Sequence, residues 1–536
     1  MPQVQLYDTT LRDGAQREGI SLSVVDKLNI ACKLDELGVR YIEGGWPGSN
    51  PRDAEFFVKA RDLSLSNARI SVFGSTRRVG FKPEEDNNLV MLLDTGAEVA
   101  TLVGKASDLQ VVRVLETTIE ENLSMIADSI SYLKANGMTV FLDAEHYFDG
   151  FKVNPDYSLR CLAVAAEAGA SCLVLCDTNG GALPEDVSLA VKAALDVTNV
   201  PLGIHAHNDG GLAVANTLAA VNAGATQVQG TINGYGERCG NANLCSIIPD
   251  LKLKMGIDCV TDEQLANLTE VAHYVSESAN LVPDPFSPYV GISAFSHKAG
   301  YHVAGVTKWP DAYQHIDPAS IGNRQRAVVS DLSGKRNITY KAKELGIDLS
   351  SRAKETQQVL EQIKQLESRG FQYENAEASF ELLLYRAMPD YQPPFDLVDY
   401  MVVIEKKRRL PARNSMEEEM LAEAMVKVSV RSEIIHTVAE GNGPVNAMDQ
   451  ALRKALLQFY PSLVAVKLVD FKVRILEESV GTESQVRVLI ESSDGADEWT
   501  TVGSSTNIIE ASWLALADSV EYWLVKQKTD STPSKS

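Results

Sequence analysis

This chain of 536 residues is most informative first for what it lacks. No apolar stretch is long enough to span a bilayer, so no membrane-embedded segment is expected. Basic residues are in the minority: 50 Lys and Arg stand against 72 Asp and Glu, a formal net charge of −22. Such a surface repels phosphate backbones, which argues against a nucleic-acid partner. It still admits an anionic substrate at a local positive centre such as a metal ion. Cysteines are scattered and odd in number, seven in all, with no CxxC pair for a zinc ribbon. Cys161, Cys172 and Cys176 fall in or near apolar segments. That usage suits a reducing compartment. The opening MPQVQLYDTT lacks a basic region followed by an apolar run, so no secretory signal is read and a cytoplasmic location is expected.

The rest of the composition is that of an ordinary globular protein, too long for one hydrophobic core. Over the first 260 or so residues, short apolar runs alternate with amphipathic helical stretches. Candidate strands are Val4–Thr10, Tyr41–Trp46, Arg69–Gly74, Val99–Gly104, Thr139–Glu145, Cys172–Asp177, Leu202–Asn208 and Gln227–Asn233. Helical patterns such as Val24–Leu37 and Leu212–Ala223 follow them, and Gly38 and Gly169 read as helix C-terminal caps. Eight βα units of roughly 30 residues predict a (β/α)8 TIM barrel, ahead of a doubly wound open sheet. The predicted spans are a barrel over 1–280, a helical connector over 281–398, a C-terminal α+β domain over 399–525 and a disordered tail over 526–536. Pro283, Pro285 and Pro288 open the connector, residues 340–368 read as helical, and Pro393-Pro394 precede the change to β-like alternation. There the order is Tyr400–Glu405, Met425–Val430, Ile434–Glu440, a helix Val445–Phe459, then Val469–Glu477, Gln485–Glu491, Trp499–Ser504 and a helix Asn507–Leu524. This reads as a diverged βββα repeat, or as an ordinary α+β domain without duplication.

Catalytic groups of such barrels sit at the C-terminal ends of the strands. After the first strand come Arg12 and Asp13. Asp13 suits a hard divalent cation and Arg12 a developing oxyanion, with a salt-bridged loop as the plainer alternative. His205 and His207 share one face of the seventh strand, which is metal-ligand geometry. After the eighth strand, Asn241 offers a neutral oxygen ligand, Gly236 permits close backbone approach, and Glu237 and Arg238 order the loop. Asp13, His205, His207 and Asn241 form a mixed N/O set suited to Zn, Mn, Co or Mg. Glu145 shares a face with Asp143, on the substrate side, and serves as an acid or an orienting carboxylate. Thr178 is placed to hydrogen-bond a substrate carboxylate, and Asp177 reads as a cap for the following helix.

Together, Asp8–Gly14, His205–Asp209 and Gly234–Asn241 resemble the pyruvate-carboxyltransferase-like barrel family, which includes 2-isopropylmalate, homocitrate and citramalate synthases. The stretches Glu43–Pro51 and Asp143–Asp149 are most similar to its citramalate branch. The resemblance spans the barrel, the connector and the C-terminal domain. It implies an acyltransferase that condenses acetyl-CoA with a small 2-oxo acid, pyruvate foremost, in branched-chain amino-acid biosynthesis. By the same resemblance Asp13, His205, His207 and Asn241 hold the metal, while Arg12 and Glu145 work at the acceptor carbonyl. His302 and Tyr313 are implied to reach a site in a neighbouring subunit, hence a homodimer. The C-terminal repeat is implied to be a regulatory domain that binds a branched-chain amino acid such as isoleucine. The alternatives are another acceptor (2-oxoisovalerate or 2-oxoglutarate), a hydroxyacyl-CoA lyase, or a non-catalytic amino-acid sensor.

Overall fold

The computed structural model describes residues 4–327, 335–349, 352–374, 376–406, 420–476 and 484–530. Eight strands form a closed parallel barrel in chain order: β1 (Gln5–Asp8), β2 (Tyr41–Gly45), β3 (Arg69–Ser75), β4 (Val99–Lys105), β5 (Thr139–Glu145), β6 (Cys172–Asp177), β7 (Leu202–Ala206) and β8 (Gln227–Gly230). Closure is made by β1 against β8, with Gln5 opposite Gln227 and Asp8 opposite Gly230. Parallel strands under a helical coat are buried on both faces, which is why β2 and β6 are buried throughout. Several strands end earlier than their apolar patterns suggested. β7 stops at Ala206 and β8 at Gly230, because the chain turns there into the loops of the barrel mouth.

Local signals set the helix ends. The helix Val24–Glu36 begins at a capping box formed by Ser23 and Asp26, and the helix Pro155–Ala168 ends at Gly169 with φ 95°. Inside the barrel, Tyr7, Tyr41, Val99, Phe141, Cys172, Val174 and Cys176 form a separate apolar cluster. All seven cysteines are free thiols.

The chain divides into two compact units. One runs to Phe295 and takes in His315–Gln325; the other has Ser296–Gln314 and the described residues from Arg326 on. In the second unit, β9 (Ser296–His297) pairs with β10 (Arg326–Ala327). The helical stretch expected over 340–368 is two helices, Lys335–Glu344 and Ala353–Ser368. Gly346, at φ 76°, takes the chain out of helical geometry between them. A further helix, Glu377–Arg386, precedes the repeat.

The repeat consists of two antiparallel sheets, each followed by a helix. β11 (Asp396–Lys406), β12 (Met420–Val430) and β13 (Glu433–Gly441) lead into the helix Pro444–Leu456. β14 (Lys467–Ile475), β15 (Val486–Ser493) and β16 (Glu498–Ser505) lead into the helix Ile508–Asp530. The halves share their internal bonds. Thr437 Oγ donates to the carbonyls of Ala451 and Val426, and Thr501 Oγ donates to those of Ala515 and Ile490. Each pair of corresponding residues lies 64 positions apart (437 and 501, 451 and 515, 426 and 490). β11 and β14 also carry the same register break, at Leu397/Asp399 and at Leu468/Asp470. Shared bonds at a constant offset make this a true duplication. The last helix continues to Asp530, into the stretch expected as a disordered tail. Glu477 and residues 531–536 lie outside the described residues. Among the described residues no helix is long and apolar enough to cross a membrane.

Candidate active site

The polar residues cluster at the C-terminal end of the barrel strands. Arg12 and Asp13 lie in the turn after β1. His205 is the penultimate residue of β7, and His207, one residue beyond the strand, bridges to Asn241 in the loop after β8. One ligand atom each from Asp13, His205 and His207 lies within 4.8 Å of the others. His205 Nε2 is 3.3 Å from Asp13 Oδ2.

Charge in this site is set by burial and by neighbours. Burial would raise the Asp13 carboxyl, but Arg12 and His205 outweigh it and hold it well below the ordinary carboxylate range. Burial together with the charge on His205 lowers His207 to about 4, so its ring is neutral near pH 7. Neutral imidazole is the ligating form. Two buried atoms of this cluster, His207 Nδ1 and Asn241 Oδ1, have no hydrogen-bond partner among the described residues. Both are lone-pair donors in the same corner, and a buried polar atom without a partner is costly. An anionic oxygen, two imidazoles and an orphaned amide oxygen fit a divalent cation in an open, mixed N/O site.

Arg12 is clamped on three sides. Its Nε donates to Glu43 Oε1 at 2.6 Å, its guanidinium lies 3.9 Å from the centre of the Phe73 ring, and its Nη1 is 3.6 Å from Asp13. Glu43 in turn accepts from the Tyr7 hydroxyl at 2.7 Å. Asp143 is buried, and burial with the Glu43 charge pushes its carboxyl up to about 7. Gln229 Nε2 donates to Asp143 Oδ1 at 3.0 Å, and Gln229 Oε1 lies 2.9 Å from His205 Nδ1. Glu145, further along β5, is ion-paired with Lys105. The Thr178 hydroxyl accepts from the His146 N–H at 2.8 Å, which leaves its own hydrogen free to donate. Asp177 accepts from the N–H groups of Gly181 and Ala182, so it braces the loop before the helix Pro184–Val197; the N-cap of that helix is Leu183, and Asp177 does not cap it as expected.

The loop after β8 is wired by Arg238, whose guanidinium holds both Asp209 carboxylate oxygens and the Thr178 carbonyl. Glu237 is exposed and lies 3.9 Å from Arg238, so it adds little order. Gly236 adopts φ 151°, and a Cβ there would meet Asn241 Nδ2 at 2.1 Å. The glycine is therefore required by packing on Asn241, which is a different reason from the ligand approach read in the sequence. His302 and Tyr313 fall in the second unit with ring centroids 4.6 Å apart, and both are exposed.

Glu43, Phe73, Lys105 and Gln229 were not singled out as site residues from the sequence. Glu43 and Gln229 do leave a trace, as polar residues inside buried strands. Phe73 and Lys105 leave none.

Three families match successive parts of the chain: HMGL-like over residues 3–275, homocitrate synthase post-HMGL domain-like over 289–370, and the LeuA allosteric (dimerisation) domain over 374–524. The (R)-citramalate synthase of Geobacter sulfurreducens is 52% identical over 528 residues, covering 98% of this chain and 99% of that protein. The (R)-citramalate synthase of Synechocystis is 51% identical, over 97% of this chain and 96% of its own length. That of Aquifex aeolicus is 49% identical, over 98% and 99%.

Proposed function

The chain belongs to the HMGL-like barrel family and, within it, to the (R)-citramalate synthases, and from that premise we propose how its residues divide the work. It is a metal-dependent acyltransferase. The methyl carbon of acetyl-CoA is joined to the ketone carbon of pyruvate, and hydrolysis of the thioester gives (R)-citramalate and free CoA, a step toward isoleucine. The observation that carries this reading is the convergence of Asp13, His205 and His207 at the barrel mouth beside the clamped Arg12.

Asp13, His205, His207 and Asn241 would hold a divalent cation, which would supply Lewis-acid polarisation of the acceptor ketone. Arg12 stabilises the oxygen that gains negative charge, and Glu43 and Phe73 fix its guanidinium before the reaction begins. Thr178 donates its free hydroxyl hydrogen to the pyruvate carboxylate, and Asp143 lines the substrate side. Glu145 orients the acceptor carbonyl as an acid or a carboxylate. His302, tilted at 35° against the Tyr313 ring, removes the methyl proton of acetyl-CoA at a site of a neighbouring subunit. Arg238 holds the loop of Gly236 and Glu237 in place.

The substrates are small molecules, and the chain assembles as a dimer, in keeping with its match to the dimerisation domain. We assign 1–280 to the catalytic barrel, 281–398 to the connector and 399–525 to the regulatory domain, with isoleucine as the effector and the cytoplasm as the location. The test follows CoA thiol release with Mn or Mg, acetyl-CoA and, in turn, pyruvate, 2-oxobutyrate, 2-oxoisovalerate and 2-oxoglutarate. Release with pyruvate is expected. Release with none of them removes the synthase reading, and release only with a larger acid moves the chain to another branch.

A further inference from the structure

We propose that Gln229 is the positioning residue that decides which nitrogen of His205 faces the cation. The inference rests on the metal-site reading above and extends it to a residue that touches neither cation nor substrate.

Gln229 is fully buried on β8. Its amide has one end that only accepts and one that only donates. The donor end is committed to Asp143 Oδ1 at 3.0 Å, so the oxygen faces His205 Nδ1 at 2.9 Å. With Asp143 ionised, the reverse orientation would set an oxygen against an oxygen there. An amide oxygen cannot donate, so Nδ1 must carry a hydrogen. That leaves Nε2, 3.3 Å from Asp13 Oδ2, as the nitrogen able to ligate. Without Gln229 the ring could swivel, and it would spend part of its time with the hydrogen on Nε2, aimed into the site. Ligating imidazoles are oriented by such partners. The partner here is a neutral amide, and its other end ties the ligand to the buried Asp143 on β5.

Gln227 supplies the contrast. It lies two residues earlier on β8 and shares the same face. It is also buried, but its Oε1 and Nε2 find no hydrogen-bond partner among the described residues. A buried amide at this depth is therefore not in itself a structural requirement, and only Gln229 is connected to a ligand.

The test measures Mn(II) binding by the EPR signal of the free ion in the wild type, Gln229→Met, Gln229→Glu and Gln227→Met. Gln229→Met is expected to bind about 10–100-fold more weakly. Gln229→Glu still accepts from Nδ1 but sets a second carboxylate against Asp143, so it should bind more weakly than the wild type and more tightly than Gln229→Met, and Gln227→Met should match the wild type. 15N NMR of histidine-labelled wild type loaded with diamagnetic Zn(II) should show the His205 hydrogen on Nδ1 and the cation on Nε2. Wild-type affinity in Gln229→Met, or a ligated Nδ1 in the wild-type spectrum, overturns the proposal. If the wild type binds neither Mn(II) nor Zn(II), it is the metal reading that fails, and the proposal falls with it.

Discussion

At the barrel mouth, Asp8, Asp13, Glu43, Asp143 and His205 are each at most 5% exposed, with Arg12 held among them. In the C-terminal repeat the corresponding depth is filled by Ala451, Leu452, Ala515 and Leu516, and the deep hydroxyls of Thr437 and Thr501 are each satisfied by a helix carbonyl. The repeat's buried carboxylates are paired with arginines, Asp449 with Arg453 and Glu521 with Arg386, whereas Asp8 and Asp143 at the mouth have no ion pair among the described residues. Burying several ionisable groups together disfavours folding unless they are paired, so the mouth keeps them for another reason. The halves of the repeat also differ from each other. Val502 is fully buried, while Val438, its counterpart 64 positions earlier, is 40% exposed. The helix Glu377–Arg386 accounts for this, because it lies on the second sheet, where Ser379 Oγ accepts from the Val502 N–H.

The contrast between charge kept for chemistry and packing kept for folding can be broken by substitution. Arg12→Lys has the largest expected effect. It keeps the charge but loses the planar fork that Glu43 and Phe73 hold. A drop in kcat of about 10²–10³-fold is expected, with a thermal midpoint close to the wild type. Wild-type turnover in this variant would remove the oxyanion role, and a collapsed midpoint would make Arg12 a folding residue.

Val502→Asp and Val438→Asp sharpen the comparison between the halves. A carboxylate at 502 is buried without a partner and should cost about 3–5 kcal/mol in denaturant unfolding. At 438 the change should stay within about 0.5 kcal/mol. Equal losses would mean that the first sheet is covered as well in the assembled protein.

The smallest effect is expected at Asp494, in the turn between β15 and β16. The N–H groups of Asp497 and Ala496 and the indole of Trp523 hold its carboxyl down to about 2. A lowered folded pKa adds stability above the ordinary aspartate value, and that stability is lost as pH falls through the folded one. Asp494→Asn should therefore melt slightly below the wild type near pH 6, with the gap closing between about pH 4 and pH 2. A gap that does not change with pH would assign the effect to packing.

Much of this was legible beforehand. The eight strands, their order, and the places of Asp13, His205 and His207 follow from an apolar rhythm and from polar residues at strand ends. The helix from 340 to 368 was misread as continuous because Gly346 breaks a pattern that periodicity alone carries through. Residues 526–530 were misread because a polar end to a helix looks like disorder until Trp513, Trp523 and Val525 anchor the turns before it. Phe73 and Lys105 stayed hidden, since nothing about a phenylalanine or a lysine in a strand says which neighbour it will meet.

The barrel and the chemical types at the mouth follow from the chain alone, because periodicity and strand-end position are local properties. Folding was needed to show that Glu43 clamps Arg12, that Gln229 joins His205 to Asp143, that the C-terminal domain is a duplication, and that one of its sheets is covered by a helix. Those contacts join residues tens to more than a hundred positions apart, and their partners are chosen by barrel closure and packing.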